Sequence, residues 1–268
     1  MAEILYAPGR ERVITTNAWA FLHWLRTVHD IDLADWTALQ RFSVDRARDF
    51  RALVAAFAQL PNEALSLARH GGPQEALVLR RVDGSRYALN RDEVRRMHLG
   101  PIALPAEIAA PLARRWPPAA LIRPLADLLL HADLRPGDRL LVVGPAWPWL
   151  ASLLEGTAVI LAAPTDLLAT AAEERASVLV SPAQILAESA FRRPGRRPDL
   201  EHLRTIIPTG GPLSPEGRRR IYTWVKSDLM LLARTGDTLW GNPLEPVLVR
   251  PPATPALLTP PASTQATP

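Results

Sequence analysis

The chain has 268 residues, of which 48% are hydrophobic, which is enough for one sizeable core or two small domains. It contains no cysteine, which excludes disulfides, thiolate zinc sites and cysteine nucleophiles. The net charge is +4, from 31 basic and 27 acidic residues, and Lys226 is the single lysine. So small a net charge, spread along the chain, is typical of a solvated surface, and we expect no nucleic-acid partner.

Residues 1–70 are predicted to form a helical segment. One helical face is predicted from the apolar spacing of Trp19, Leu22, Leu25 and Val28. Asp35 is expected to cap a short helix. A further helix is marked by Phe50, Val54 and Phe57.

Residues 71–99 change character and predict a hairpin followed by a helix. The hairpin turns at Asp83-Gly84, and Asn90 is expected to cap the helix. Residues 100–121 are rich in proline and alanine, which is typical of a connector.

The most apolar segment, residues 140–163, holds one charged residue, Glu155. Pro145 and Pro148 interrupt the hydrogen bonding that a membrane-spanning helix requires, so the segment predicts strand, helix and strand. The N-terminal residues also lack the apolar run of a secretory signal. We therefore expect a cytoplasmic protein without a membrane partner.

Strands and helices alternate over residues 122–249, which predicts an α/β domain with a parallel, doubly wound sheet. A loop at residues 192–198 carries four arginines, which fit either a phosphate contact or a solvated surface. Residues 250–268 have no periodicity and are predicted to be disordered. The six histidines have no metal-binding spacing, so we expect no metal site.

A strand, a glycine turn and a helix start are predicted over residues 199–217. Ligands of parallel sheets bind at the carboxyl ends of strands, which is where Thr209-Gly210-Gly211-Pro212 is expected to lie. The glycines allow a positive φ and a close approach of the backbone to a flat ring or a phosphate. A lone turn of this kind is structural more often than functional.

Four segments in order, residues 5–57, 76–96, 125–162 and 199–238, resemble the N-terminal region of acetoacetyl-CoA synthetases, which belong to the adenylate-forming acyl-CoA synthetase family. The resemblance implies an α/β fold and ATP, AMP and CoA as ligands. It also implies a nucleotide-binding set consisting of Thr209, Gly210, Gly211, Pro212, Asp237 and Thr238.

The sequence departs from that family at three places. The family's glycine-rich phosphate loop ends in a lysine, but residues 97–122 contain one glycine and no lysine. Where the family has an acidic magnesium ligand, one alignment places Leu239 and another places Gly241, Asn242 and Pro243. The sequence also stops before the family's ribose-binding aspartate and its C-terminal domain with the adenylation lysine. We therefore predict no catalytic residue in this chain.

The departures favour a truncated, catalytically impaired homologue with an interaction or regulatory role, which binds a protein partner through an exposed domain edge. One alternative is acid–thiol ligase activity completed by a partner subunit. Another is binding of a nucleotide or CoA without turnover. A further alternative is a decaying gene copy without a function.

Overall fold

The computed structural model describes residues 3–58, 74–96, 118–144, 149–163, 165–191, 198–235 and 238–249. Several sequence predictions lie outside these ranges, namely those for the connector up to residue 117, the arginines at 192–197, Asp237 and the tail at 250–268. The proposed division of the chain into five segments stays a prediction.

Four helices form the N-terminal part of the molecule. They are α1 (Arg10–Ile14), α2 (Asn17–His29), α3 (Trp36–Asp45) and α4 (Ala47–Phe57). The Thr16 side chain accepts a hydrogen bond from the backbone N–H of Trp19 and caps α2. Asp35 caps α3 as predicted, because its carboxylate accepts the N–H of Ala38 at 2.8 Å.

The buried face of α2 differs from the predicted one. Trp19 and Val28 are 45% and 61% exposed, whereas Phe21 and Leu25 are fully buried. Phe21 packs edge-on against Phe50 and Phe57 of α4, with ring centroids 6.0 and 5.1 Å apart. The prediction is correct for Leu25 but wrong for Trp19 and Val28, because the aromatic side chains of α4 select the face of α2 that contains Phe21.

The main sheet joins nine strands of the described residues in the order β10-β9-β7-β6-β4-β5-β2-β3, with β8 beside β7. Its strands are β2 (Glu75–Arg80), β3 (Arg86–Asn90), β4 (Arg139–Val142), β5 (Ala158–Ala162), β6 (Val178–Pro182), β7 (Thr205–Thr209), β8 (Met230–Leu231), β9 (Ala233–Thr235) and β10 (Thr238–Trp240). A separate two-stranded sheet pairs β1 (Ile4–Tyr6) with β11 (Val247–Leu248). The centre of the main sheet is parallel, which confirms the predicted α/β class, whereas β3 and β10 add antiparallel edges.

The predicted hairpin is part of the main sheet, because β2 pairs in parallel with β5 through Leu77 and Val159. The turn lies at Asp83-Gly84 as predicted, with Gly84 at a φ of +83°. Asn90 begins α5 (Arg91–Arg96) with a capping box. Its side chain accepts the Glu93 N–H at 2.9 Å, and the Glu93 carboxylate accepts the Asn90 N–H at 2.7 Å.

Helices cover both faces of the sheet. One face packs against a 3-10 helix (Trp149–Glu155) and against the π-helix (Asp127–His131) that continues α6 (Pro118–Ala126). The other face packs against α7 (Leu167–Glu173), α8 (Ala183–Phe191) and α9 (Pro215–Arg220), which continues as a π-helical turn (Ile221–Val225). The N-terminal helices form a third layer on α6. Within the described residues, no helix is long and apolar enough to cross a bilayer.

The carboxylate of Glu174 connects three strands of the main sheet. Its side chain is 4% exposed and accepts hydrogen bonds from Arg86 of β3 at 2.9 Å and from Arg139 of β4 at 2.6 Å. Arg80 of β2 lies 3.4 Å away. Burial alone raises the pKa of Glu174, but the hydrogen bonds and positive charges of Arg86 and Arg139 outweigh that effect and hold the pKa below its usual value.

We expect Glu174→Gln to lower the free energy of unfolding by about 2–3 kcal/mol, because it leaves partly buried arginines without their shared carboxylate. Glu173→Gln is the matched control. Glu173 is 60% exposed and ion-pairs with Arg80, so its loss should cost less than about 1 kcal/mol. Urea denaturation measures both changes, and equal losses would contradict the assignment of Glu174.

A buried histidine, His131, connects α6 to the segment after β10. Its Nδ1 lies 2.7 Å from the carbonyl oxygen of Gly241, and its ring packs edge-on against Trp36 at 4.7 Å. Burial lowers the pKa of His131 to about 4, and the hydrogen bond to Gly241 opposes this shift only in part. The imidazole is therefore neutral in the folded chain at pH 7.

Acid should destabilise the chain through His131. The unfolded chain takes up this proton near pH 6.5 and the folded chain only near pH 4, so stability present above pH 6.5 is lost as the pH falls towards 4. The expected loss is about 3 kcal/mol. Urea unfolding between pH 7.5 and 4.5 measures it. In the His131→Gln variant the free energy of unfolding should depend less steeply on pH, and an unchanged slope would contradict the role of His131.

Candidate functional site

The glycine turn lies at the carboxyl end of β7, where it was predicted. Gly210 and Gly211 have φ values of +79° and +136°, both in the region that favours glycine. Thr209 pairs in parallel with Arg234 of β9, and the Gly211 N–H donates to the Arg234 carbonyl at 3.1 Å. The turn is therefore fixed to the neighbouring strand by its backbone.

The backbone of this turn is open to solvent. A Cβ added to Gly210 or Gly211 would meet no atom within 4 Å, and Pro212 is exposed. Leu213 is buried beneath the turn, and the Ser214 side chain accepts the Gly217 N–H at 3.0 Å to begin α9. A flat ring or a phosphate can therefore approach the backbone of the turn closely.

Thr238 lies at the same end of the sheet as the turn. It begins β10, which runs antiparallel to β9 and pairs Thr238 with Thr235. Because β9 is parallel to β7, the end of β9 and the start of β10 lie beside the end of β7. The structure thus brings Thr209, the two glycines and Thr238 to one edge, while Asp237 lies outside the described residues.

Sequence reasoning missed a buried arginine at this edge. Arg234 is 8% exposed, its guanidinium lies 5.1 Å from the ring centroid of Trp149, and it is 4.0 Å from the carboxylate of Asp127. The available signal was an arginine directly after the apolar strand segment at 229–233. The charge lies over an aromatic face and next to an acid, so it is stabilised although it is buried.

One of the two alignments places Leu239 at the family's acidic position, and Leu239 is a core residue. Leu239 is 1% exposed and belongs to the same buried cluster as Trp149 and Leu232. In the part of the chain that the structure describes, no group of three or more histidines or carboxylates could hold a metal ion.

No family model matches the sequence. An acetoacetyl-coenzyme A synthetase from Rhizobium meliloti (strain 1021) is 34% identical over an alignment of 147 residues, which covers 47% of this chain and 23% of that protein. The matched region thus spans less than a quarter of the relative's length.

The fold is similar to that of a solved enzyme. The acetoacetyl-CoA synthetase from Streptomyces lividans superposes with a TM-score of 0.75 at 15% identity, over 95% of this chain and 69% of the enzyme. Both comparisons thus find a similarity to acetoacetyl-CoA synthetases, in sequence over part of the relative's length and in fold.

Substituting Gly211 should destabilise the turn through its backbone conformation. Gly211→Ala is expected to cost about 1–3 kcal/mol, because alanine rarely adopts a φ of +136° and no side-chain clash contributes. Gly9→Ala is the control, since Gly9 has a φ of −68° and open space, and it should change stability by less than about 0.5 kcal/mol. Thermal unfolding measures both, and equal effects would contradict the strained turn.

Proposed function

We propose that the chain is an acyl-CoA synthetase homologue that does not form adenylates by itself and acts by binding another protein. The burial of Leu239 carries this proposal, because a leucine in the core offers no oxygen to magnesium. The alternative alignment supplies no carboxylate either, since it places Gly241, Asn242 and Pro243 at the remaining positions.

The charge inventory supports the same proposal. Phosphate transfer relies on cations and N–H groups that neutralise the developing charge. The single lysine, Lys226, donates to the carbonyl oxygens of Glu201 and Leu203, both at 2.8 Å, and so stabilises the chain ahead of β7. It is not placed at the glycine turn, because β7 begins after Leu203 and the turn follows the end of that strand.

The β3 edge of the sheet is the proposed docking surface for a protein partner. β3 is the last strand in the order of the described sheet, so its outer backbone groups face away from β2. Val82 and Tyr87, at the turn and on β3, are 72% and 36% exposed. An extended segment of a partner could add to this edge and cover both side chains. A cytoplasmic location is part of the same proposal.

Nucleotide binding without turnover is the second candidate function. The open glycine turn favours it, because the backbone at Gly210 and Gly211 can be approached by a flat ring. Ligase activity with a partner subunit would need that subunit to supply a lysine and a magnesium ligand.

Calorimetry combined with an activity assay tests these functions. The purified chain is titrated with ATP, AMP and CoA, with and without magnesium, and is then assayed for AMP release with acetoacetate or acetate. We expect no magnesium-dependent AMP release, because the metal ligand and the phosphate loop are missing. AMP release that depends on both the acid and magnesium would overturn the first proposal.

The same titration also tests the second candidate function, nucleotide binding without turnover. AMP binding at micromolar strength that Gly211→Ala abolishes would establish nucleotide binding at the turn. No heat from the folded chain would exclude it and leave the protein-binding role. Lys226→Arg serves as a control that retains the positive charge away from the turn.

A further inference from the structure

Two backbone contacts show how the hydrogen bonds of the β2–β3 hairpin are directed. The Arg81 N–H donates across the hairpin to the carbonyl of Ser85 at 3.0 Å. The Arg80 carbonyl instead accepts the N–H of Ala163, which follows β5, at 3.2 Å. The backbone of Arg81 thus points towards β3 and that of Arg80 towards β5, because bonded and non-bonded pairs alternate along an antiparallel pair of strands.

The same alternation assigns the outer edge of β3. Tyr87 pairs with Leu79, which is two residues before Arg81, so the backbone groups of this pair point towards each other. Arg86 and Ala88, on either side of Tyr87, therefore turn their N–H and C=O groups away from β2. Since β3 is the last strand in the order of the described sheet, no other strand of the described residues pairs with these groups.

The side chains of β3 do little to protect this edge from pairing. Edge strands are often protected by proline, by lysine or by charges that point inwards. β3 contains neither proline nor lysine, and its one charged side chain, Arg86, donates to Glu75 and Glu174 of the same chain. Tyr87 is 36% exposed on the other face of the strand, which it shares with the buried Leu89. The edge is therefore suited to accept another strand.

We propose that a second copy of this chain pairs with the β3 edge, antiparallel to it and about a twofold axis that passes between the two Tyr87 residues. Arg86 of each copy then bonds Ala88 of the other through both of its backbone groups. A twofold axis requires a surface that is complementary to itself, and this pairing meets that requirement. The inference rests on the proposed function, because it names the partner of the β3 edge.

The side chains of β3 favour this register. Tyr87 faces Tyr87 of the second copy in a non-hydrogen-bonded pair, in which the Cα atoms lie about 4.5 Å apart. Aromatic side chains in such cross-strand pairs stabilise a sheet, and each ring would cover the other. Arg86 lies opposite Ala88, so no like charges face each other. An axis centred on Ala88 would instead place Arg86 opposite Asn90, whose N–H already donates to Glu93.

The charges beyond the strand are complementary in the same arrangement. Antiparallel pairing brings the hairpin turn of one copy beside the start of α5 in the other. Counting outwards from Tyr87, Arg81 of the turn corresponds to Glu93, and Asp83 corresponds to Arg91. Each charge of the turn thus corresponds to one of opposite sign, and this match occurs on both sides of the axis. Such complementarity favours a second copy over an unrelated strand.

Sedimentation equilibrium of the full chain at increasing concentration is the first test. We expect a reversible equilibrium between monomer and dimer, because a single short strand buries a small interface. A chain that stays monomeric at every concentration up to its solubility limit would overturn the inference and leave the β3 edge to an unrelated partner. Magnesium-dependent AMP release from the same sample would instead overturn the proposed function, whatever mass is measured.

A pair of charge substitutions tests the twofold axis. Tyr87→Lys and Tyr87→Glu should each raise the dissociation constant of the dimer about tenfold, because like charges would replace the paired rings. An equimolar mixture of the two variants should restore a dimer with one copy of each, since the axis pairs residue 87 with itself. The mixture also controls for folding, because a misfolded variant could not restore the dimer.

Trp224→Lys is the matched control. Trp224 is another exposed aromatic residue, at 51%, and lies on the π-helical turn after α9. Its substitution should leave the dissociation constant unchanged, and a loss equal to that in the Tyr87 variants would overturn the β3 interface. Wild-type association of either Tyr87 variant alone, or a mixture that stays monomeric, would overturn the proposed axis.

Discussion

The carboxylate of Glu174 is shared by arginines from three strands, and the extent of the sheet depends on this contact. Arg80 and Arg86 belong to the hairpin, whereas Arg139 begins β4, so one buried acid links the hairpin to the parallel strands. The hairpin in turn covers β5, whose residues Val159 and Ile160 are fully buried. Without the hairpin, β5 would form an exposed apolar edge, which is a known route to aggregation.

Features that depend on local chemistry could be predicted from the sequence. The Asp83-Gly84 turn, the cap at Asn90 and the glycine turn after β7 all follow from residues close together in the chain. The exposure of Trp19 could not be predicted, because the choice between two apolar ridges depends on Phe50 and Phe57 in another helix. The place of the hairpin at the edge of the main sheet could not be predicted either, because it depends on the pairing of β2 with β5, which is distant in the sequence.

The candidate site also combines features that could be predicted from the sequence with features that could not. The backbone part of the site could be predicted because glycine at a positive φ has a direct sequence signal. The environment of Arg234 could not, since Trp149 and Asp127 are more than 80 residues away in the sequence. The burial of Leu239 could not be predicted from the sequence either, because it depends on a cluster that includes Trp149 and Leu232. In that cluster its side chain fills the core and stabilises β10.

The pairing of β1 with β11 has a mechanical consequence. Ile4 lies opposite Leu248, and the Val249 N–H donates to the Glu3 carbonyl at 2.9 Å, so residues 3 and 249 lie side by side at one end of an antiparallel pair. A force that pulls these two residues apart loads the hydrogen bonds one after another rather than all together. The two strands should therefore peel open at low force, before the nine-stranded sheet is strained.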